Sequence, residues 1–177
     1  MNEENLQAIV ALIALLALLA IVFVPFFLFI GYALFQKGKR SRIRQAILNE
    51  RRDLVGTRTW FPVRYASEPR FKQFFKIFPW EGAGILVTAP GSVLFLGQTF
   101  SGSPISLQLA PVNATLSWLG KAPWPNGAVS WFYLATANGK HYFSSETGVM
   151  VFGSHKTTRA IYDGAIHSFQ ASSASQV

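Results

Sequence analysis

Residues 6–35 read LQAIVALIALLALLAIVFVPFFLFIGYALF, thirty consecutive positions without a charged side chain. An apolar run longer than about 18 residues can satisfy its backbone hydrogen bonds inside lipid only as a helix. At about 1.5 Å per residue this run reaches roughly 45 Å, more than the hydrocarbon core of a bilayer at about 30 Å. The sequence therefore predicts a transmembrane helix over residues 6–36. We expect a kink near Pro25, because proline cannot donate a backbone hydrogen bond.

The charges on the two sides of this run differ in sign. Glu3 and Glu4 precede it, whereas seven basic residues and one acidic residue fall between positions 37 and 52. Basic residues beside a span stay in the cytoplasm, so we expect residues 1–5 to lie outside the inner (cytoplasmic) membrane and the C-terminal domain inside the cell. A cleaved signal peptide is the alternative, but it would need a basic leader and a shorter apolar core.

The positive charge is concentrated near the predicted span. Residues 37–76 contain twelve Lys or Arg and three acidic residues, whereas residues 82–177 contain four and two. A nucleic-acid-binding module would carry this charge on its folded domain, so we expect anionic lipids of the cytoplasmic leaflet as a partner and no nucleic acid. The same residues could instead serve only as a topology signal. The candidate lipid-facing residues are Lys37, Lys39, Arg40, Arg42, Arg44, Arg51, Arg52, Lys72 and Lys76.

Aromatic residues form a second candidate surface. Between 71 and 78, phenylalanine recurs every three or four positions, which predicts a short amphipathic helix that packs on the domain, on the bilayer or on a partner. The tryptophan between two prolines near position 124 is held extended, either as an anchor for a partner or as a lid over the domain. The candidate partner-contact residues are Phe23, Phe26, Phe27, Tyr32, Phe71, Phe74, Phe75 and Trp124.

From Gly82 onward the hydrophobic pattern alternates with a period of two, which predicts β-strands. Asn138-Gly139 is a strong hairpin signal between the last two of the six predicted strands. After Ser154 the pattern returns to that of a helix, and the tail 171–177 has the composition of a disordered segment. The predicted strands are 85–88, 92–96, 105–109, 112–118, 128–136 and 140–144, with 148–152 as the candidate for a seventh.

This order of elements resembles the pleckstrin-homology-like (PH-like) superfold, and in particular bacterial PH-like and GRAM-like domains, over about residues 80–170. Residues 84–88 and 93–97 resemble their opening hairpin, 104–107 the next strand, and 131–143 the late hairpin before a closing helix. The resemblance implies a partly open antiparallel barrel with a C-terminal helix. PH-like domains that bind phosphoinositide headgroups carry Lys and Arg at the first hairpin loop. Thr88–Ser92 contains neither, which implies protein binding or scaffolding.

We therefore expect a single transmembrane helix joined to a mainly-β cytoplasmic domain. Residues 37–81 would form a basic juxtamembrane helix and an aromatic connector, and residues 82–170 the PH-like β domain with its closing helix.

Few side chains suit catalysis. The chain contains no cysteine, six acidic residues after the span and three histidines, and it lacks the HExxH, Walker and GxSxG motifs. We expect no enzyme activity, no metal and no cofactor. The sequence points instead to an accessory or scaffold subunit of a larger membrane complex, such as a respiratory or photosynthetic one. The alternatives are a regulator that binds anionic lipids and a membrane-tethered enzyme.

Overall fold

The structure is a computed structural model that describes residues 3–74, 76, 78–122, 126, 129–146 and 154–171. The chain divides into two compact units, residues 1–37 and residues 38–177.

The first unit belongs to helix α1, which runs from Glu3 to Glu50 with Pro25 inside it. The predicted helix over the apolar run is confirmed, and this helix is long and apolar enough to cross a membrane. Side chains from Ile9 to Phe29 are all exposed in the isolated chain. Exposed apolar surface costs about 25 cal/mol per Å² in water, so this surface requires an apolar environment. The kink at Pro25 stays a prediction.

The second unit is built on one seven-stranded antiparallel sheet. Its order is β4-β3-β2-β1-β7-β6-β5, so a meander of four strands and a meander of three meet where β1 pairs with β7. The strands are β1 Thr59–Ser67, β2 Gly82–Ala89, β3 Ser92–Thr99, β4 Pro104–Leu109, β5 Ala114–Lys121, β6 Ser130–Thr136 and β7 Gly139–Ser145. The helices in this unit, besides the end of α1, are α2 Arg52–Val55, α3 Glu68–Lys72 and α4 Ser154–Gln170.

Helix α4 packs on strands of both meanders, β2 and β3 as well as β5, β6 and β7. One helix can reach both halves only if the sheet curls around it, so the sheet is curled and α4 covers its inner face. Ile161, Ala165 and Phe169 of α4 are buried there against aromatic side chains that include Phe95 and Phe143. The predicted C-terminal helix and the six predicted strands after Gly82 are confirmed.

Strand β1 was not predicted, because Pro62 falls within it and proline usually marks an edge strand or a break. In the structure β1 is central and pairs with β2 and β7. The ladder to β7 begins at Val63, one residue after Pro62, so the missing N–H falls at the end of that ladder. The Pro62 carbonyl still accepts a hydrogen bond from the Glu146 N–H at 3.0 Å.

The position of β1 changes how the chain compares with PH-like domains. The first hairpin is formed by β1 and β2, so the uncharged turn at Thr88–Ser92 is the second connection of the sheet. The first connection is residues 68–81, which contains Arg70, Lys72 and Lys76. The absence of charge at Thr88–Ser92 therefore does not bear on the first hairpin loop.

The predicted helix over residues 71–78 is wrong. Helix α3 ends at Lys72, and Gln73 already has extended backbone angles, with φ −60° and ψ 128°. The ring of Phe71 stacks on Tyr142 with centroids 3.9 Å apart and meets Trp131 edge-on at 5.4 Å. Phe71 itself lies in α3, so the predicted helix is present only at its first two residues and ends before Gln73. The possible seventh strand at 148–152 and most of the tail from 171 lie outside the described residues.

Candidate functional site

The most concentrated buried charge in the described part of the second unit lies on the face of the sheet opposite α4. Arg40 and Arg44 come from the last turns of α1, Arg64 from β1, and Glu146 directly follows β7. We call these four residues the arginine cluster. The side chains of Arg40, Arg64 and Glu146 are 1%, 0% and 5% exposed, so these three residues are almost entirely removed from water.

One carboxylate oxygen holds the cluster together. The Oε2 atom of Glu146 lies 2.8 Å from Nε of Arg40, 3.4 Å from Nε of Arg64 and 3.5 Å from Nη1 of Arg44. Three guanidinium groups and one carboxylate leave an excess of two positive charges. Guanidinium groups stay protonated in proteins, so this excess persists at pH 7.

Trp80 closes one side of the cluster. Its ring is buried, and the Cζ atoms of Arg64 and Arg40 lie 4.2 Å and 5.3 Å from its centroid. The ring face carries partial negative charge and attracts both cations. The ring can cover the face of a guanidinium group, but it offers no acceptor to the N–H donors that lie in the plane of that group. Contact with Trp80 therefore does not replace hydrogen bonds to these donors.

The period of two in β1 explains how Arg64 reaches this place. Val63 and Tyr65 point to the core under α4, whereas Arg64 and Ala66 point to the opposite face. The end of α1 packs on that same face, where Ile47 and Leu48 lie against Ile85, Val87 and Leu96. Burial of these apolar side chains brings Arg40 and Arg44 over Arg64.

Burial and mutual repulsion act on the cationic groups. Desolvation lowers the pKa of Arg44, the Glu146 carboxylate acts in the opposite direction, and nearby Arg40 lowers it further. The pKa of Arg64 is also lowered, chiefly by desolvation and further by Arg40 and Arg44, while Glu146 acts in the opposite direction. A lowered pKa means that the protein disfavours the charged form. The cluster thus contains more positive charge than its own carboxylate stabilises.

The other residues of the predicted lipid-facing set fall into two groups. Lys37, Arg42, Arg51 and Arg52 are exposed. The remaining three are bonded within the domain. Lys39 donates to the carbonyl of Phe100 at 2.6 Å, Lys72 forms an ion pair with Glu68 at 2.7 Å, and Lys76 donates to the carbonyls of Arg70 and Phe71 at 3.0 and 2.7 Å.

Burial also affects Lys76, whose pKa falls to about 8 because of desolvation and of nearby Arg70. Its ammonium group is used inside the first connection of the sheet. Sequence reasoning placed Arg40, Arg44 and Lys76 together on a lipid-facing surface. The structure instead brings Arg40 and Arg44 to Arg64 and Glu146, and places Lys76 elsewhere.

The predicted partner-contact residues are distributed over both units. Phe23, Phe26, Phe27 and Tyr32 are exposed on α1, and the rings of Phe26 and Phe27 contact each other edge-on at 5.8 Å. Phe71 packs inside the second unit, as described above, whereas Phe74 is 66% exposed. Phe75 and Trp124 lie outside the described residues.

A smaller polar pair lies under α4. The hydroxyl of Tyr65 and Nδ1 of His141 are 3.0 Å apart. Desolvation raises the pKa of Tyr65 to about 12, with Glu81 adding to the effect, and lowers that of His141. Among the described residues, no group of three or more His, Cys, Asp or Glu side chains is placed to hold a metal ion.

Comparison with known proteins finds no matching family model, no matching curated protein and no matching solved structure.

The arginine cluster makes Glu146 the most sensitive polar residue of the domain. We expect Glu146→Gln to lower the free energy of unfolding by about 3 kcal/mol, because it removes the carboxylate charge that lies within 3.5 Å of three largely buried guanidinium groups. The measurement is chemical or thermal unfolding of the full chain in detergent.

Asp163→Asn is the matched control. It removes a carboxylate from an exposed i,i+4 pair with Arg159 at 3.0 Å, and we expect a loss below about 0.5 kcal/mol. Equal losses for the two variants would contradict the role assigned to Glu146.

Proposed function

We propose that this chain is a single-span, non-enzymatic accessory or scaffold subunit of a larger membrane protein complex. Its second unit would be a PH-like domain on the cytoplasmic side of the inner membrane. The observation that carries the proposal is the fully exposed apolar surface of α1 between Ile9 and Phe29. Such a surface needs lipid or a partner to cover it.

The arrangement of the sheet supports a PH-like domain. Four meandering strands are followed by three, the first strand pairs with the last, and a single C-terminal helix covers the inner face. This matches the partly open barrel with a closing helix that the sequence resemblance implies.

The aromatic residues of α1 favour contacts with a partner over simple anchoring. Leucine and alanine are sufficient to fill a bilayer, and they make up most of the first half of the apolar run. Phe23, Phe26 and Phe27 are exposed and clustered, with rings 5.8 to 6.3 Å apart. Grouped aromatic rings provide large contact area at a low cost in side-chain entropy, which suits packing against the helices of another subunit.

The second unit also carries exposed apolar side chains that could contact a partner. Phe74, Val112 and Leu119 are 66%, 93% and 44% exposed. Single exposed apolar residues are ordinary on a soluble domain. They support the proposal only together with the surface of α1.

The proposed orientation can be tested with single cysteines, because the chain has none of its own. We expect Asn5→Cys to react with a membrane-impermeant maleimide in intact spheroplasts, and Lys156→Cys to react only after lysis. Both positions are exposed, so burial does not limit labelling. Labelling of Lys156→Cys in intact spheroplasts, with Asn5→Cys protected, would reverse the orientation. The cysteine-free parent chain is the control.

The subunit role can be tested by the size of the native particle. Purified in mild detergent from its own membrane, the 19.6 kDa chain is expected to co-purify with partners in fixed stoichiometry. We expect the triple variant Phe23→Leu, Phe26→Leu, Phe27→Leu to retain at least tenfold less partner, since the loss of several ring contacts exceeds about 1.4 kcal/mol.

The control is the double variant Val22→Leu, Val24→Leu, which changes neighbouring exposed apolar side chains and keeps the rings. It is expected to retain the partner. A wild-type chain that elutes as a lone monomer in its detergent micelle would overturn the proposal.

A further inference from the structure

We propose that the arginine cluster is a binding site for a phosphate group, held by the guanidinium groups of Arg40, Arg44 and Arg64. This site is independent of the subunit role proposed above. It is also distinct from the exposed basic residues of α1, because it combines largely buried guanidinium groups of two separate elements, α1 and β1.

The arginine cluster carries excess positive charge. A buried ion without a counter-ion is costly, and breaking a buried pair typically costs 3–5 kcal/mol. The cluster has one carboxylate for three guanidinium groups, and the Arg44 and Arg64 groups lie in surroundings that disfavour their charge. A phosphate monoester carries close to two negative charges at neutral pH. Its binding would balance the excess.

The arginine cluster also contains buried hydrogen-bond donors that its carboxylate does not pair. All three arginines approach the same oxygen of Glu146. Among the described residues, Nη2 of Arg40 and Nη1 of Arg44 are buried and have no hydrogen-bond partner. Arginine forks match the oxygens of phosphate and bind them in bidentate fashion. These buried donors, together with the charge, specify an anion with several acceptor oxygens.

Trp80 prepares the site for such an anion. Its ring contacts the guanidinium groups of Arg64 and Arg40 and restricts their movement before a ligand arrives. A fork that is already oriented loses less side-chain entropy on binding. The ring also excludes water from one side, which strengthens the remaining electrostatic interactions.

Arg44 provides access to the site. Its side chain is 17% exposed, whereas those of Arg40 and Arg64 are at most 1% exposed. A ligand would therefore enter beside Arg44 and then meet the deeper guanidinium groups. Arg44 is thus the residue whose replacement affects binding with the smallest effect on the packed interior.

Two sources could supply the phosphate. Arg40 follows Phe35 by five positions, which is at most about 18 Å of chain. A chain anchored in a membrane through residues 6–35 would therefore keep Arg40 within reach of lipid headgroups. A soluble phosphate could reach it equally. The chemistry is the same in both cases, and the experiment separates them.

The test uses the purified full chain, and binding is measured as the rise in thermal midpoint. In a phosphate-free nonionic detergent, inorganic phosphate is titrated against chloride at equal ionic strength. In a second arm, nanodiscs of phosphatidylcholine are compared with nanodiscs that contain phosphatidic acid. A rise with inorganic phosphate identifies a soluble ligand, and a rise only with phosphatidic acid identifies a lipid headgroup. Both results support the site. No rise in either arm overturns it.

Arg44→Gln and Arg42→Gln form a matched pair. They remove the same charge from the same helix two residues apart, but Arg42 is exposed and outside the cluster. We expect about tenfold weaker apparent affinity for Arg44→Gln, the effect of losing one charge-assisted hydrogen bond, and a change within about twofold for Arg42→Gln. Equal weakening in both variants would show general attraction to the basic helix and would overturn the site.

Arg44→Lys is a second variant that can be measured if Arg44→Gln fails to fold. It keeps the charge and loses the planar fork, so we expect apparent affinity between that of the wild type and that of Arg44→Gln. Wild-type affinity in both Arg44 variants would contradict the proposal. It would leave the cluster with a structural role only.

Discussion

The carboxylate of Glu146 connects three parts of the chain that are far apart in sequence. Its Oε2 atom meets Arg40, 106 residues earlier, and Arg64, 82 residues earlier. Through these contacts the last turns of α1, the central strand β1 and the end of β7 meet at one point. Buried ion pairs often add little net stability, because desolvation offsets their attraction. We infer that this cluster mainly fixes which part of the sheet the end of α1 occupies.

The two faces of the curled sheet have different roles as a result. Alternation along β1 directs Val63 and Tyr65 into an apolar core under α4, and directs Arg64 to the face that α1 covers. The inner face is closed by apolar packing together with buried hydrogen bonds between α4 and the sheet, such as the one that the Ser145 N–H donates to the Thr158 hydroxyl at 3.1 Å. The outer face combines apolar contacts of Ile47 and Leu48 with the buried charge of the arginine cluster.

Most of the fold could be predicted from sequence periodicity. The apolar run, the alternating strands after Gly82 and the amphipathic α4 each carry a pattern within one element, and all three are present in the structure. Strand β1 was not predicted, because Pro62 interrupts the alternating pattern of its residues. The helix predicted from Phe71 to Phe78 was too long, because the helical spacing of the phenylalanines continues past Lys72, where α3 ends. The contacts of Phe71 with Tyr142 and Trp131 could not be predicted, because they join residues 60 to 71 positions apart.

The candidate site could be predicted only in part. Arg40 and Arg44 were singled out as charged residues beside the span, but were expected at its surface, where arginine usually lies. Arg64 could be identified as a site residue only from the structure, in which it lies in β1 between the core residues Val63 and Tyr65. Glu146 gives no local signal, although it is one of only two acidic residues after position 82. Pairing over such separations depends on tertiary structure, which sequence periodicity does not contain.

A double-mutant cycle between Arg40 and Glu146 measures directly whether this ion pair couples the end of α1 to the sheet. The free energies of unfolding of the full chain, of Arg40→Met, of Glu146→Gln and of the double variant give the coupling between the two side chains. We expect a coupling of about 2 kcal/mol or more, the size typical of a buried, hydrogen-bonded ion pair with a 2.8 Å contact. A coupling within about 0.5 kcal/mol of zero would contradict it, because residues in independent surroundings show additive effects of that size.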